Sequence, residues 1–327
     1  MERLQNVPVA MSAPSAGRWR DYLAVARPDH WFKNLFMVAG TAAAVVYTRR
    51  PMTVALLGTL ALAFAATCCI ASFNYIINEI LDARTDRNHP RKRHRPIPSG
   101  RVRLGPLFVL AGGFLGAGLA IGLGWFSMRF LLSLVSLFLM GLVYNVPPVR
   151  SKDLPFIDAL SESVNNPIRL CIGWFAVEPL FWPPSSLLVA YWALGGFLMT
   201  AKRYAEYVAI GDVVVASAYR KSFRYYSERS LLIAMIVYIS CFMSMYGVLA
   251  AKYQTELLVA LPFLAIFIAW FFHLAFEADS IVQEPERIVH KPGFLLYCAG
   301  LFGLIVLLAA MDFSQLVAWL GLPNIQW

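Results

Sequence analysis

The sequence predicts an all-α integral membrane protein, and three observations carry that expectation. Hydrophobic residues make up 59% of the 327-residue chain and charged residues 14%, where a soluble domain carries about 25% charged residues. The apolar residues gather into nine stretches that read as membrane helices on length and hydropathy. The Lys and Arg residues are sorted between the connecting segments rather than scattered. A water-soluble core of this size could not hide so much apolar surface, whereas a bilayer accepts it.

The stretches run about 34–48, 54–81, 104–124, 127–144, 156–177, 186–201, 230–250, 255–276 and 293–318. Of the 28 Lys and Arg residues, 23 fall in 1–33, 82–103, 145–155, 202–229 and 277–292. Arg49, Arg50, Arg129 and Lys252 form the opposite set, and Arg169 lies inside a span. The positive-inside rule puts the larger set in the cytoplasm. The N-terminus is then cytoplasmic and, with nine spans, the C-terminus external, in a multi-pass protein of the cell (inner or plasma) membrane. The expected organisation is a cytoplasmic segment over 1–33, one nine-helix domain over 34–320 and a short external tail over 321–327. Residues 1–30 hold no continuous apolar run, so targeting is expected from the first span itself. The net charge of +9 reads as the same loop bias and not as a nucleic-acid footprint. The five cysteines lie in apolar stretches without metal-ligand spacing and read as buried free thiols.

The first span is entered through RPDHWFKN at 27–34. Trp31 is an interfacial anchor, and Lys33 is either a snorkelling lysine or a phosphate ligand. The second span ends in the first polar constellation. Asn78, Asp82 and Asp86 are spaced i, i+4, i+8 and share one helical face, with Asn74 one turn earlier and Glu79 adjoining. Oxygen-bearing side chains in such a row suit Mg²⁺, which takes few protein ligands and completes its octahedron with water and substrate phosphate. Arg84, Arg87, His89, Arg91, Lys92, Arg93, His94 and Arg95 follow at once. A carboxylate row beside a basic run is what a metal–diphosphate complex needs. A solvated basic loop at a helix C-terminus accounts equally well for the arginines, but not for carboxylates at the end of an apolar span.

After the fourth span, Tyr144 and Lys152 flank a loop made rigid by Pro147, Pro148 and Pro155. The fifth span then presents Asp158, Glu162, Asn165 and Arg169 at helical spacing, a polar stripe that must face the bundle interior or a water-filled cavity. The stripe reads either as an internal ion pair, Glu162 with Arg169 or Asp158 with Lys152, or as a site with Asp158 in a second metal or catalytic role. The sixth span ends with Lys202, Arg203 and Glu206 at its membrane face, and the loop after it reads as amphipathic surface packing. All strong polar signals thus come from one set of helix ends, which would enclose a cationic, carboxylate-lined cavity with an apolar lower part for a lipid tail.

These motifs together resemble the UbiA superfamily of intramembrane prenyltransferases: the Asn-x-x-x-Asp-x-x-x-Asp row, the RPxxWxKN start, RPIPSG at 95–100 and nine spans. The resemblance covers most of the chain and implies a nine-helix bundle around a central cavity open to the cytoplasmic side. It implies Mg²⁺-dependent ionisation of a diphosphate, with Asn78, Asp82, Asp86 and the adjoining Glu79 at the metal. Arg87, Lys92 and Arg95 would contact the diphosphate; His89, read from the sequence itself, is a metal ligand, a loop histidine or a hydrogen-bond donor to phosphate in the substrate site. Glu79 stands where the family's motif usually has Asp. The second Asp-rich motif of the aromatic-prenylating members is replaced by KRYAEY. That segment, with Asp158, Arg169 and Gly173, is similar to the decaprenyl-phosphate phosphoribosyltransferase-like members. The implied reaction moves 5-phosphoribose from phosphoribosyl diphosphate to a polyprenyl phosphate, with Asp82, Asp86 and Asp158 catalytic. Lys33, Asn74, Tyr144, Lys152, Glu162, Asn165, Arg169, Lys202, Arg203 and Glu206 would line the substrate site. The alternative within the family is transfer of a polyprenyl chain from prenyl diphosphate to an aromatic acceptor such as 4-hydroxybenzoate. A transporter or lipid-binding protein is the alternative from another class, but transporter sites lie near the midplane and these acids lie near one face.

Overall fold

The computed structural model describes residues 18–87, 92–283 and 285–311, and every regular element among them is helical. Helix α1 (Trp19–Val25) precedes a 3₁₀ run, Pro28–Phe36, that leads straight into α2 (Met37–Thr48). Helix α3 (Val54–Asp86) begins where the Thr53 hydroxyl accepts from the Leu56 amide at 3.2 Å. Its 33 residues make a rod of about 50 Å, against a hydrocarbon core of about 30 Å. The surplus length carries Asn78, Asp82 and Asp86 out past the apolar layer, which is why a helix that starts as LLGTLALAF can end in carboxylates.

Helices α4 (Leu104–Trp125) and α5 (Met128–Asn145) follow as a hairpin, with Ser127 capping α5. The fifth hydrophobic stretch is not one continuous helix. It is divided into α6 (Ile157–Ser163) and α7 (Asn165–Phe175) at Val164. Pro167 lacks the N–H that would reach the Ser163 carbonyl, so the ladder breaks there. Helix α8 (Ser185–Ile210) stops at Gly211, whose φ of +67° suits glycine. A short α9 (Val213–Tyr219) and a 3₁₀ turn, Lys221–Tyr225, lead to α10 (Glu228–Tyr253), which Ser227 and Ser230 open with reciprocal bonds. Helices α11 (Leu261–Phe276) and α12 (Pro292–Ala310) complete the described chain.

Six helical segments among the described residues are long and apolar enough to cross a membrane: α3, α4, α5, α10, Thr255–Phe276 and α12. The other three hydrophobic stretches are α2 with its 3₁₀ lead-in, the divided α6–α7, and α8 with its charged end. One apolar core joins α2, α3, α5 and α7, and a second joins α8, α10, α11 and α12. Between helices in lipid there is little hydrophobic driving force, so close backbone approach holds them together. Glycines supply it between α2 and α7. A Cβ at Gly40 would strike the Leu170 carbonyl, and one at Gly173 the Met37 carbonyl. Thr41 donates to the Gly173 carbonyl across the same seam at 3.3 Å. The described cysteines are free thiols, as expected, but Cys69, Cys241 and Cys298 are only half-buried.

Candidate functional site

The polar ends of α3, α5, α6 and α8 come together in linked hydrogen-bond networks. At their centre is the ammonium of Lys152, in the 3₁₀ turn Ser151–Asp153 after α5. It donates to Asn78 Oδ1 at 2.9 Å, to Asp82 Oδ1 and Oδ2 at 2.8 Å each, and to Asn145 Oδ1 at 3.0 Å. The helical spacing of Asn78 and Asp82 aims both at one point, and the α5 terminus brings Asn145 to it. Arg150 adds a second cation, with Nη2 2.8 Å from Asp82 Oδ1 and Nε 3.1 Å from Asp153 Oδ2. Its backbone sits at φ +32°, a strained value held by these ion pairs.

Asp86 continues the row but has its own partner, Arg95 Nη1 at 2.6 Å. Glu79 does not join it. The buried Glu79 carboxylate, 100° around the helix from Asn78 but beside Asp86 seven residues on, accepts from the Ile97 amide at 3.2 Å, in the strap that also carries Arg95. The strap after the basic run is fastened elsewhere too. Arg101 pairs with Asp21 at 3.0 Å and the Arg103 amide donates to the Tyr22 hydroxyl at 3.2 Å. Asn74, also expected at the substrate, packs against α5. Its Nδ2 donates to the Leu137 carbonyl at 3.0 Å, and Gly141 makes room for it.

A second network lies beside the first. Asp158, fully buried, accepts from the Ala159 amide at 2.8 Å, Arg203 Nε at 3.0 Å, Ser222 Oγ at 3.4 Å and the Tyr226 hydroxyl. Burial and the adjacent Asp158 push the Tyr226 phenol well above its usual range, which keeps it protonated and donating. Arg203 is held from both sides, with Nη1 2.8 Å from Glu206 Oε2, and its Nη2 donates to the Tyr144 hydroxyl at 3.3 Å. Lys202 reaches the other Glu206 oxygen at 4.0 Å. Asp158 therefore has no open lone pair, against the catalytic or metal role expected of it. Arg203 and Glu206, expected at the substrate, neutralise each other and Asp158.

The division at Val164 undoes the single polar stripe. Asn165 Nδ2 donates to Glu162 Oε2 across the break at 3.3 Å, leaving Asn165 Oδ1 buried and unpartnered. Neither internal ion pair forms. Lys152 turns to Asp82 instead of Asp158, and Arg169 Nε donates to Asn34 Oδ1 at 3.1 Å with no carboxylate partner among the described residues. Asn34 in turn contacts Cys68 on α3. About 21 Å of helix axis separates Cys68 from Asp82, so Arg169 does not reach the carboxylate row.

Cations surround the cluster. Burial, with Arg220 and Arg95 acting the same way, draws the Lys92 ammonium down to about 8, while Asp86 opposes the fall. Lys92 also stacks on the Tyr219 ring at 5.0 Å. Arg220, in the loop read as surface packing, turns inward, with Nη1 3.8 Å from Asp158 and a buried Nε without a partner. Arg87 is exposed at the end of α3, and Lys33 lies over Phe32. His89 falls outside the described residues. Sequence reading missed Arg220, Arg150, Asn145, Asn34 and Tyr226. Arg150 and Asn145 carried a signal, standing in the same segment as Lys152, and so did Asn34, the last residue of RPDHWFKN. Two apolar clefts, of about 490 and 350 Å³, lie between α11 and α12 and among α2, α3 and α12, away from this cluster.

An oxygen set of one carboxylate and two amides already closed around a cation fits a hard divalent ion in its chemistry. No group of three or more His, Cys, Asp or Glu that could hold a metal occurs among the described residues, so amide oxygens and substrate would have to complete the shell.

Residues 35–287 match the profile described as the UbiA prenyltransferase family. Decaprenyl-phosphate phosphoribosyltransferase of Mycolicibacterium smegmatis is 32% identical over 181 residues, 55% of each chain. Its Corynebacterium glutamicum counterpart is 30% identical over 191 residues, 55% of this chain and 52% of that one. The chain thus spans about half the length of these relatives. Protoheme IX farnesyltransferase of Xylella fastidiosa is 23% identical over 95% of this chain and 99% of its own. Among solved structures, a UbiA homolog from Archaeoglobus fulgidus bound to DMAPP and Mg²⁺ superposes with a TM-score of 0.65. It is 17% identical, and the match covers 87% of this chain and 99% of that one.

Proposed function

The chain belongs to the UbiA prenyltransferase family, and from that premise we propose that it is a Mg²⁺-dependent transferase moving 5-phosphoribose from phosphoribosyl diphosphate to a polyprenyl phosphate. The observation that carries the proposal is the convergence of Asn78, Asp82 and Asn145 oxygens on one cationic point, ringed by Lys92, Arg95, Arg150 and Arg220. The phosphoribosyltransferase relatives and the Mg²⁺ in the Archaeoglobus structure agree with it. We place the site at the cytoplasmic face of a nine-span bundle with the N-terminus inside, on the segregation of Lys and Arg.

Asn78, Asp82 and Asn145 would hold the metal, with Asp86 one turn on. Bound there, it would neutralise charge gathering on the departing diphosphate. Arg95, Lys92 and Arg220 would take the remaining phosphate oxygens. The new bond forms between an acceptor phosphate oxygen and the anomeric carbon, as the anomeric carbon–diphosphate bond breaks and the diphosphate leaves with its electron pair. The acceptor is already an anion, so no general base is required. That suits a site in which the fully buried carboxylate Asp158 is committed to four donors. Asp158 and Glu206 flank Arg203, which also argues for one metal rather than two. Tyr144 and Lys202 stand at the edge of this second network and are the residues we assign to the acceptor side.

The near full-length match to a farnesyltransferase favours prenyl transfer as a second reading. One assay separates the two. Membranes containing the protein receive Mg²⁺ with radiolabelled phosphoribosyl diphosphate and polyprenyl phosphate, or in parallel labelled prenyl diphosphate with 4-hydroxybenzoate or haem. Lipid-phase label is expected in the first reaction. Product in the second alone overturns the phosphoribosyl assignment, and EDTA is expected to abolish whichever reaction runs.

A further inference from the structure

Lys152 stands in an unusual place for a substrate-binding lysine. Its ammonium has three N–H donors and is shared among four oxygens, all within 3.0 Å. Its side chain is 8% exposed. The oxygens it contacts are those that, on the reading above, hold the divalent ion. Ammonium–oxygen contacts here are 2.8–3.0 Å, and a Mg²⁺ ion needs its oxygens at about 2.0–2.1 Å. Both cations would be centred on nearly the same point, so they exclude one another by space and by like charge. Lys152 is carried by the loop Pro147–Pro155 rather than by a helix interior, and its long stem can swing without moving α3 or α5.

We propose that Lys152 is a tethered counter-cation that exchanges with the divalent ion at Asn78, Asp82 and Asn145. This rests on the metal-site reading of those residues. With the lysine in, Asp82 is neutralised and the oxygen set stays ordered although α3 brings a carboxylate to the end of an apolar span. With the lysine displaced, its charge needs a new partner, and an anionic diphosphate held by the same ion is the nearest. Metal uptake is thereby weak without an anion to receive the ammonium.

The test reads metal affinity directly, on full-length protein purified in detergent, by electron paramagnetic resonance of free Mn²⁺ with no substrate present. Wild type, Lys152→Met, Asp82→Asn and the double variant are compared. Lys152→Met is expected to bind Mn²⁺ at least about tenfold tighter than wild type, a change of 1.4 kcal/mol, and Asp82→Asn is expected to remove that gain. Equal or weaker binding by Lys152→Met, with Asp82→Asn still lowering wild-type affinity, overturns the exchange and leaves the metal site standing. Binding indifferent to Asp82→Asn overturns both. A second measurement needs no variant: reductive dimethylation of wild type, quantified by mass spectrometry at Lys152 against the exposed Lys221. Mg²⁺ is expected to raise labelling of Lys152, and unchanged or reduced labelling overturns the proposal.

Discussion

Replacing Asp158 by alanine probes the point where the three-dimensional arrangement departs furthest from the catalytic role expected of a carboxylate in the fifth span. The substitution removes the acceptor of four donors and leaves Arg203, 1% exposed, with Glu206 as its carboxylate partner. Breaking a buried ion pair by deleting one member destabilises by about 3–5 kcal/mol, because a charge is stranded as well as an attraction lost. At about 2 °C per kcal/mol for a chain of this size, the apparent unfolding midpoint should fall by roughly 6–10 °C. Asp82→Ala is the contrast. Asp82 is 20% exposed, and its partners keep other acceptors, Lys152 in Asn78 and Asn145, Arg150 in Asp153. Its loss is expected to destabilise by about 1–3 kcal/mol and to abolish turnover. Thermal unfolding by fluorescence-detected size exclusion in detergent, with turnover on the same preparations, reads both. An Asp158→Ala protein that melts with wild type yet is inactive would put Asp158 in the chemistry. Asp82→Ala retaining over about a tenth of activity, a barrier change under 1.4 kcal/mol, would remove Asp82 from the metal site.

Lys92 should make substrate binding pH-dependent. With its ammonium drawn down to about 8, it is cationic below that pH and neutral above, so KM for phosphoribosyl diphosphate should climb as pH rises through 8. Lys92→Arg, cationic throughout, should flatten the profile, and a wild-type KM indifferent to pH would rule Lys92 out as a phosphate contact. Glu79→Gln should leave Mn²⁺ affinity where it was, since the carboxylate serves the Ile97 amide; a fall in affinity would restore Glu79 to the metal. Gly173→Leu should lower the unfolding midpoint through an overpacking term of about 1–3 kcal/mol or more, because its side chain meets the Met37 carbonyl. A stable Gly173→Leu protein would mean that α2 and α7 separate freely.

Periodicity carried the parts that are local. The i, i+4 spacing of Asn78 and Asp82 aims both side chains at one point, and that survives in the shared contact with Lys152. Hydropathy likewise located the helices. What the sequence concealed lies in contacts between distant segments. Arg203 meets Asp158 across 45 residues and Tyr226 meets it across 68, and no local pattern announces such pairing. Pro167 was a legible warning that the stripe from Asp158 to Arg169 could not hold one face, and Glu79 stood 100° around the helix from Asn78. Arg220 looked like surface because its neighbours are polar, yet the loop folds it inward.

The strap from Arg95 to Arg103 has a consequence for traffic. It is tied to α3 through Asp86 and Glu79, and to α1 through Asp21 and Tyr22. Fastened at both ends, it behaves as a lintel over the doorway and not as a door. On the transferase function proposed above, a long lipid then need not wait for it to lift and can enter sideways from the bilayer. Turnover should then survive a cross-link that welds positions 21 and 101 together.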